Sequence, residues 1–288
     1  MAELSARHHY IPRFLIENFS DDNNLLWVYD KEKKQIIKNQ RSPKAIFFEW
    51  DRNLFDVNGA PGDNLEKMYG AMDDLLSKTL AKIISTHGMN GPELTLMILL
   101  ASMMKWRIPK VDEDFRTLTK DIPIENLGMA IRPRDPNIKA DPAELKKIAE
   151  MDIVKETKRL LLPLQPLLNS NNLDELHRNC FITSSNQFPA LLGDCPIIEA
   201  PNTDFETLGD FIFPLSSNET LVCKRNTKKA ISNPIFYAQK DLAIFHLSEK
   251  YVACKSRDYL ERIAQTYEVL ERTNKAHTPE KYIFEFIA

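Results

Sequence analysis

The chain of 288 residues is long enough for one large domain or two small ones. Its content of 43% hydrophobic and 27% charged residues is typical of a globular protein and excludes a disordered chain, a collagen-like chain and a coiled coil. The formal net charge of -3 offers no general attraction to nucleic acid, so any such binding requires a local basic patch.

The cysteines and the N-terminus both point to a cytoplasmic protein. No pair of cysteines has the close spacing of a zinc site, which predicts reduced thiols with no disulfide and no bound metal. No apolar run follows Met1, and the most apolar stretch, 94–104, is too short to span a bilayer. We therefore expect no membrane association. The four cysteines are Cys180, Cys195, Cys223 and Cys254.

Helical patterns dominate the first half of the chain. Pro12 suits the first turn of a short helix, and Asp63 or Asn64 can cap a longer one with a single apolar face. A more apolar, central helix follows and ends before Pro109. A proline-rich connection at 121–142 is the best candidate for a mobile segment or lid. The predicted helices span 12–19, 65–83, 93–107, 142–162, 173–179 and 256–270.

Short apolar runs separated by turns dominate the second half and predict strands. The plan is therefore a single α+β domain, 1–288, with a helical first half packed on a mostly antiparallel sheet formed largely by the C-terminal half. An early hairpin of two strands, 25–29 and 35–38, is placed to join that sheet. The other predicted strands span 180–183, 190–192, 197–199, 211–215, 221–224, 243–246 and, at an edge, 282–287.

Two adjacent histidines near the N-terminus form the first candidate site. His8 and His9, beside Arg13, are two titratable imidazoles next to a guanidinium, a combination suited to phosphate binding or proton transfer. Adjacent side chains point in different directions, so at most one normally faces a given pocket. The plain alternative is an N-terminal segment with exposed histidines. The segment reads His8-His9-Tyr10-Ile11-Pro12-Arg13-Phe14-Leu15, followed by Asn18-Phe19.

This segment resembles the opening signature of the bacterial domain-of-unknown-function family 4238. The resemblance continues in order along most of the chain, although the N-terminal motif is its specific part. Glu66 matches a glutamate on the family's first long helix, and Arg107 with Pro109 resembles its Arg-Thr-Pro helix end. Further matching segments are Leu26-Trp27-Val28-Tyr29-Asp30, Thr183-Ser184, Gly193-Asp194-Cys195-Pro196, Phe213-Pro214-Leu215-Ser216 and Asn233.

The chain departs from that pattern at several positions. Gly193 and Cys195 replace a serine and an asparagine of the family's Ser-Asp-Asn-Pro turn, and Ile108 replaces a threonine. Asp73 stands where a second helix glutamate is expected. The resemblance implies a bacterial protein of unassigned activity. By analogy, such accessory proteins act in conflict with phages, so antiphage defence is the expected setting.

The turn Gly193-Asp194-Cys195-Pro196 is the second candidate site. Pro196 restricts Cys195 to an extended conformation and Gly193 permits an unusual one, so Asp194 is held on a stiff turn. Such a turn can present a carboxylate to a substrate. Equally, the carboxylate can accept hydrogen bonds from its own turn backbone.

The third candidate is Lys105-Trp106-Arg107 at the end of the apolar helix. Cations at this end complement the helix dipole, which by itself explains them. Trp106 beside Arg107 can also stack a base and hold a phosphate. A basic run with Lys224, Arg225, Lys228 and Lys229 is a further patch for a polyanion or a solvated turn.

These residues favour a hydrolase acting on DNA, with no cofactor. One carboxylate with histidine and arginine helpers suits cleavage of an N-glycosidic bond, possibly of a modified base flipped onto an aromatic ring. The alternatives are a nuclease that cleaves phosphodiester bonds and a ligand- or partner-binding module without catalysis. The predicted catalytic residues are Asp194, His8 and His9. The predicted substrate-binding residues are Tyr10, Arg13, Phe14, Glu66, Trp106, Arg107 and Asn233.

Overall fold

A computed structural model describes residues 7–57, 60–133, 135, 137–139, 141–168, 170–200 and 208–288 of the chain. The helices are α1 Arg13–Glu17, α2 Asn64–Thr86, α3 Gly91–Arg107, α4 Asp112–Thr119, α5 Pro142–Ala149, α6 Asp152–Leu161, α7 Gln165–Leu168, α8 Ser170–Asn179, α9 Ile235–Leu247, α10 Arg257–Arg272 and α11 Thr278–Tyr282. The strands are β1 Arg7–His9, β2 Trp27–Asp30, β3 Gln35–Ile36, β4 Phe48–Trp50, β5 Phe55–Val57, β6 Ala60–Gly62, β7 Cys180–Ser184, β8 Leu192–Gly193, β9 Ile198–Glu199, β10 Phe211–Pro214, β11 Glu219–Cys223 and β12 Tyr251–Cys254.

The strands form antiparallel sheets, and the mixed α+β class predicted from the sequence is confirmed. One four-stranded sheet has the order β7-β11-β10-β9. A second has the order β3-β2-β12-β8, so the early hairpin pairs with the C-terminal strands as predicted. Two ribbons, β1-β4 and β5-β6, complete the set in the described part of the chain. The predicted single sheet is thus divided.

Helix α3 lies at the centre of the fold. It is capped at its start by Asn90, whose side chain accepts a hydrogen bond from the Glu93 backbone N–H. The Glu93 carboxylate in turn accepts a hydrogen bond from the Asn90 backbone N–H. Met97, Ile98 and Leu100 are fully buried, because α3 is apolar on nearly every side. The main core around α3 draws residues from Tyr10 to Ala253 and therefore joins both halves of the chain.

Three predicted elements differ in the structure. The strand predicted at 243–246 is part of α9. This part of the helix is buried on most sides, so its apolar residues do not alternate with polar ones at the helical period. The edge strand predicted at 282–287 is a turn of 3₁₀ helix, Ile283–Phe286. The helix predicted at 142–162 breaks after Ala149 into α5 and α6. Strand β12 was not predicted.

The four cysteines are free and buried. No helix in the described ranges has the length and apolarity needed to cross a membrane.

Gly193 is required by space rather than by backbone conformation. Gly128 has the positive φ among the described glycines, so Gly193 does not adopt the unusual conformation that the sequence predicted. A Cβ on Gly193 would instead overlap Ser248 Oγ and lie 3.0 Å from Ile244 Cγ2. Gly193 pairs with Val252, so this glycine lets α9 approach the β8-β12 sheet closely.

We expect Gly193→Ala to destabilise the protein by about 1–3 kcal/mol, because the methyl group would push α9 away from the sheet. Gly70→Ala is the matched control, since Gly70 lies exposed within α2 with no atom within 4 Å of the added Cβ. That change should stabilise the protein by about 0.5–1 kcal/mol. Urea unfolding of both variants measures the difference. Equal effects would contradict the close approach at Gly193.

Candidate active site at the histidine strand

Strand β1 presents its two histidines on opposite faces, because side chains alternate along a strand. Its antiparallel pairing with β4 places His8 opposite Glu49 and His9 opposite Phe48. His8 is fully buried and His9 is half-buried, so the exposed histidines of the plain alternative are not what the fold contains. The motif is therefore built into the protein.

The His8 ring has a defined proton position. Its Nδ1 accepts a hydrogen bond of 2.9 Å from the backbone N–H of Asn53, so the proton of the neutral ring lies on Nε2. This Nε2 is buried and has no hydrogen-bond partner among the described residues. The side chain of Asn53 donates to Glu66 Oε2 at 2.7 Å, which links His8 to the first turn of α2. Glu66, a predicted substrate-binding residue, is thus connected to the histidine strand through Asn53.

The His9 ring is neutral at pH 7. Burial lowers the pKa of His9 from its usual value to about 4, and the nearby charges of Arg13, Arg107 and Arg7 lower it further, while the Pro43 carbonyl opposes the shift. The Phe48 ring covers it at 5.7 Å between centroids. His9 Nε2 is also buried and without a partner in the described part. A neutral imidazole with an open nitrogen can accept a proton.

Arg107 supplies the positive charge next to His9. It is 4% exposed, and its Nη1 binds the two oxygens of Asp73 at 2.8 and 3.1 Å. The guanidinium lies 4.2 Å from the ring centroid of Tyr69. Burial raises the pKa of Asp73, and the charge of Arg107 opposes that shift. The Nε atom of Arg107 has no partner in the described residues.

Two further arginines hold the end of α3 in place. Arg52 donates to the backbone oxygen of Arg107 at 3.3 Å, and Arg159 donates to that of Trp106 at 2.8 Å. Both arginines bind Asp112, at 2.6 and 3.0 Å respectively. They satisfy carbonyls that a helix end leaves open and complement its dipole. Arg107 is therefore positioned by a rigid charged network.

Unpaired polar atoms concentrate at this place. Buried side-chain nitrogen or oxygen atoms without a partner are rare in folded proteins. Three of the four in the described part belong to the site: Nε2 of His8, Nε2 of His9 and Nε of Arg107. The fourth is Oγ1 of Thr220 on β11. The site thus combines a donor, a proton acceptor and a cation that still have bonding capacity.

The sequence reasoning missed Asn53, Arg52, Asp112 and Tyr69. Tyr69 was within reach, because Glu66, Tyr69 and Asp73 recur at the three- and four-residue spacing of one helix face. Arg52 and Asn53 lie in a loop and Asp112 lies in a different helix, so no local sequence pattern indicates that they belong to the site. Asp73 replaces the glutamate expected from the family, yet its carboxylate still binds Arg107.

Arg13 and Phe14 border the site. Arg13 is exposed, forms a weak ion pair with Glu17 at 3.4 Å, and is close enough to His9 to lower its pKa. Phe14 is half-buried and packs against the main core. Arg13 therefore remains a candidate for contact with a substrate, while Phe14 contributes to the core.

The carboxylate of Asp194 is bound by the backbone of the turn before β12. Its Oδ1 accepts a hydrogen bond from the backbone of Glu249 at 2.8 Å, and its Oδ2 accepts bonds from Lys250 and Tyr251 at 2.6 and 3.0 Å. No hydrogen bond or ion pair joins it to His8 or His9 in the described ranges. The carboxylate fixes the turn before β12, so the predicted convergence of Asp194 with the histidines lacks support.

Three other residues predicted to bind substrate make contacts within the fold. Trp106 is 1% exposed and packs against Phe115, so it has no face for a substrate base. Tyr10 is 4% exposed and packs edge-on against Phe47. Asn233 starts α9, since its Oδ1 accepts a hydrogen bond from the Ile235 backbone at 3.0 Å. These side chains stabilise the fold.

An exposed aromatic and cationic surface adjoins His9. The guanidinium carbon of Arg7 lies 5.2 Å from the Phe48 ring centroid and 5.0 Å from that of Trp50. Trp50 is 60% exposed, which is a high value for a large apolar side chain. We call Arg7, Phe48 and Trp50 the aromatic ledge. A ledge of this kind is typical of surfaces that stack nucleic-acid bases.

The described residues contain no group of three or more His, Cys, Asp or Glu side chains arranged to hold a metal ion. A protein-family model described as "Protein of unknown function (DUF4238)" matches residues 7–258. No curated protein and no solved structure matches the chain. The resemblance read from the N-terminal motif is confirmed by the family match.

We expect Asp194→Asn to lower the free energy of unfolding by about 1–3 kcal/mol, because an amide offers one acceptor oxygen to three backbone donors. Asp74→Asn is the matched control for charge, since Asp74 is exposed on α2. Chemical denaturation of the two variants and the wild type measures the effect. A stable Asp194→Asn variant with strongly reduced catalysis would return Asp194 to the active site.

His9 should make folding stability depend on pH. Its folded pKa of about 4 lies below its ordinary value of 6.5, so its contribution is fully present above pH 6.5 and is lost as the pH falls towards 4. The loss is about 1–2 kcal/mol after allowance for solvent screening. NMR titration of the His9 ring measures the pKa, and the His9→Gln spectrum identifies its resonance. A midpoint near 6.5 would contradict the burial argument.

Proposed function

We propose that this chain, which belongs to the DUF4238 family, is a hydrolase that cleaves phosphodiester bonds in DNA by the acid–base chemistry of His9 beside Arg107. The observation that carries the proposal is that His9 and the neighbouring Arg107 each keep a buried polar atom without a hydrogen-bond partner in the described part of the chain. Such atoms destabilise a fold unless a ligand completes their hydrogen bonds. Their chemistry fits a phosphoryl group and an attacking water.

Each residue has a distinct part in the proposed reaction. His9, neutral at pH 7, takes a proton from the water whose oxygen forms a bond to phosphorus. Arg107 stabilises the negative charge that develops on the phosphate oxygens, and His8, on the opposite face of β1, positions the strand through its hydrogen bond from Asn53. The bond from phosphorus to the leaving oxygen then breaks, and the protonated His9 returns its proton, through water, to the leaving oxygen.

Strand cleavage fits these residues better than the base excision expected from the sequence. Base excision was assigned to the carboxylate of Asp194 with Trp106, Tyr10 or Phe14 as a stacking partner. That carboxylate is engaged by three backbone N–H groups, the rings of Trp106 and Tyr10 are buried, and Phe14 is half-buried against the core. Phosphodiester cleavage needs only the imidazole of His9 and the guanidinium.

The aromatic ledge supports DNA as the substrate. Trp50 offers an exposed stacking face, and Arg7 and Arg13 offer positive charge to phosphates beside His9. These arginines provide the local basic patch that a protein with a net charge of -3 needs in order to bind nucleic acid. The role in antiphage defence stays a prediction.

The proposal is tested by incubating the protein with end-labelled single-stranded and duplex DNA in the presence of a chelator. We expect nicks from the wild type, and a rate reduced by about 10²–10⁴ in His9→Gln, because glutamine cannot carry a proton. Arg107→Lys should also reduce the rate, since lysine cannot reproduce the planar guanidinium. His277→Gln, at an exposed histidine outside the site, is the matched control and should retain the activity of the wild type.

The products distinguish the alternatives. Breaks that form only after alkali treatment indicate abasic sites and would replace strand cleavage by base excision. Activity that requires added magnesium or manganese would replace the proposal by a metal-dependent nuclease. Binding without any product would leave a binding module. Circular dichroism of His9→Gln establishes that a loss of rate is not a loss of fold.

A further inference from the structure

A cavity lies between α4, α6 and strand β5. Its volume is about 680 Å³, and no residue of the histidine site lines it. This volume lies within the range of small-molecule binding sites. The lining residues are Phe55, Phe115, Arg116, Thr119, Lys120, Asp121, Glu150, Asp152, Lys155, Glu156 and Lys158. We call it the α4–α6 cleft.

Lys158 is a buried cation in the wall of this cleft. It is 6% exposed, and its Nζ donates one hydrogen bond of 2.8 Å to the backbone oxygen of Thr119, which also lines the cleft. No carboxylate lies within ion-pair distance of it in the described part of the chain. An ammonium group has three donors, and a buried charge without a counter-charge is costly. Lys158 therefore lacks an anionic partner.

Most of the other charges of the wall have partners. Glu156 binds Arg159 at 2.6 Å and Arg116 at 3.7 Å. Lys155 lies 3.6 Å from Glu150 and 3.8 Å from Asp152. Lys120 and Asp121 are exposed to solvent. Among the charged residues of the lining, Lys158 is thus distinguished by its burial without an ion pair in the described part of the chain.

The cleft also has an apolar side. Phe55 is half-buried on β5. Phe115 belongs to a small apolar cluster with Trp106 and Ile124 beneath the cleft. An apolar wall next to a single buried cation selects a ligand that has an apolar body and one negative group.

We propose that the α4–α6 cleft binds a small organic anion, with a carboxylate or phosphate at Lys158 and an apolar ring against Phe55. This site does not depend on the function proposed for His9 and Arg107. The negative group would accept the N–H donors that Thr119 leaves open, and a charge-assisted hydrogen bond of this kind is among the stronger ones.

Isothermal titration calorimetry with three matched probes tests the proposal. The probes are 2-naphthoate, 2-naphthyl phosphate and the neutral 2-naphthylmethanol. We expect one site for at least one anionic probe and at least about tenfold weaker binding of the alcohol. A preference between the two anions assigns the natural group as a carboxylate or a phosphate.

Substitutions locate the site. Lys158→Met should weaken binding of the anions about tenfold or more and leave the alcohol unchanged, whereas Phe55→Ala should weaken all three probes. Lys78→Met, at an exposed lysine on α2, is the control and should bind like the wild type. The proposal is overturned if the anions do not bind at millimolar concentration, or if Lys158→Met binds them as the wild type does. Thermal unfolding of each variant verifies that the fold is intact.

Discussion

The end of α3 is the constraint on which the arrangement of the site depends. A helix that is buried on nearly every side finishes in Arg107, so its last carbonyl groups and a full positive charge lie inside the protein. Arg52 and Arg159 bind the carbonyls, and Asp73 and Asp112 balance the charges. Breaking a buried pair by removing one partner costs about 3–5 kcal/mol, because the other charge is left without compensation.

This network brings distant parts of the chain to one place. Arg52 follows β4, the strand that pairs with the histidine strand, while Arg159 belongs to α6 and Asp73 to α2. The position of His9 relative to Arg107 is therefore set by a shared set of ion pairs. A site built from rigid elements holds its groups more precisely than one built on loops.

Most polar groups of the site have hydrogen-bond or ion-pair partners, but a few buried atoms have none in the described part of the chain. In the charged network each carboxylate has at least one guanidinium partner, yet both histidines and Arg107 keep one buried atom without a hydrogen bond. Such atoms lower the free energy of unfolding, because each has lost its hydrogen bonds to water without gaining one in the protein. Proteins keep destabilising groups of this kind at sites where they bind a ligand or take part in a reaction. The same reasoning applies to Lys158, in a separate cleft with a different surplus charge.

Asp194 shows how a strong local pattern can have a structural origin. The stiff turn before Pro196 does hold the carboxylate firmly, as the sequence indicated, but it holds it against the backbone of 249–251. Gly193 serves the same junction by allowing α9 to approach. The whole motif thus fastens β8 to the turn before β12 in the second sheet. A match to a family motif is therefore compatible with a role in stability alone.

The sequence by itself determined the family, the α+β class and the joining of the early hairpin to a later sheet. These follow from local periodicity and from a motif of contiguous residues. Only the tertiary structure decided that α9 is a helix, that Trp106 is buried and that Asp194 faces a turn. It also supplied Asn53, Arg52 and Asp112. The physical reason is that burial and hydrogen-bond partners depend on contacts between residues far apart in the chain, and no local pattern encodes them.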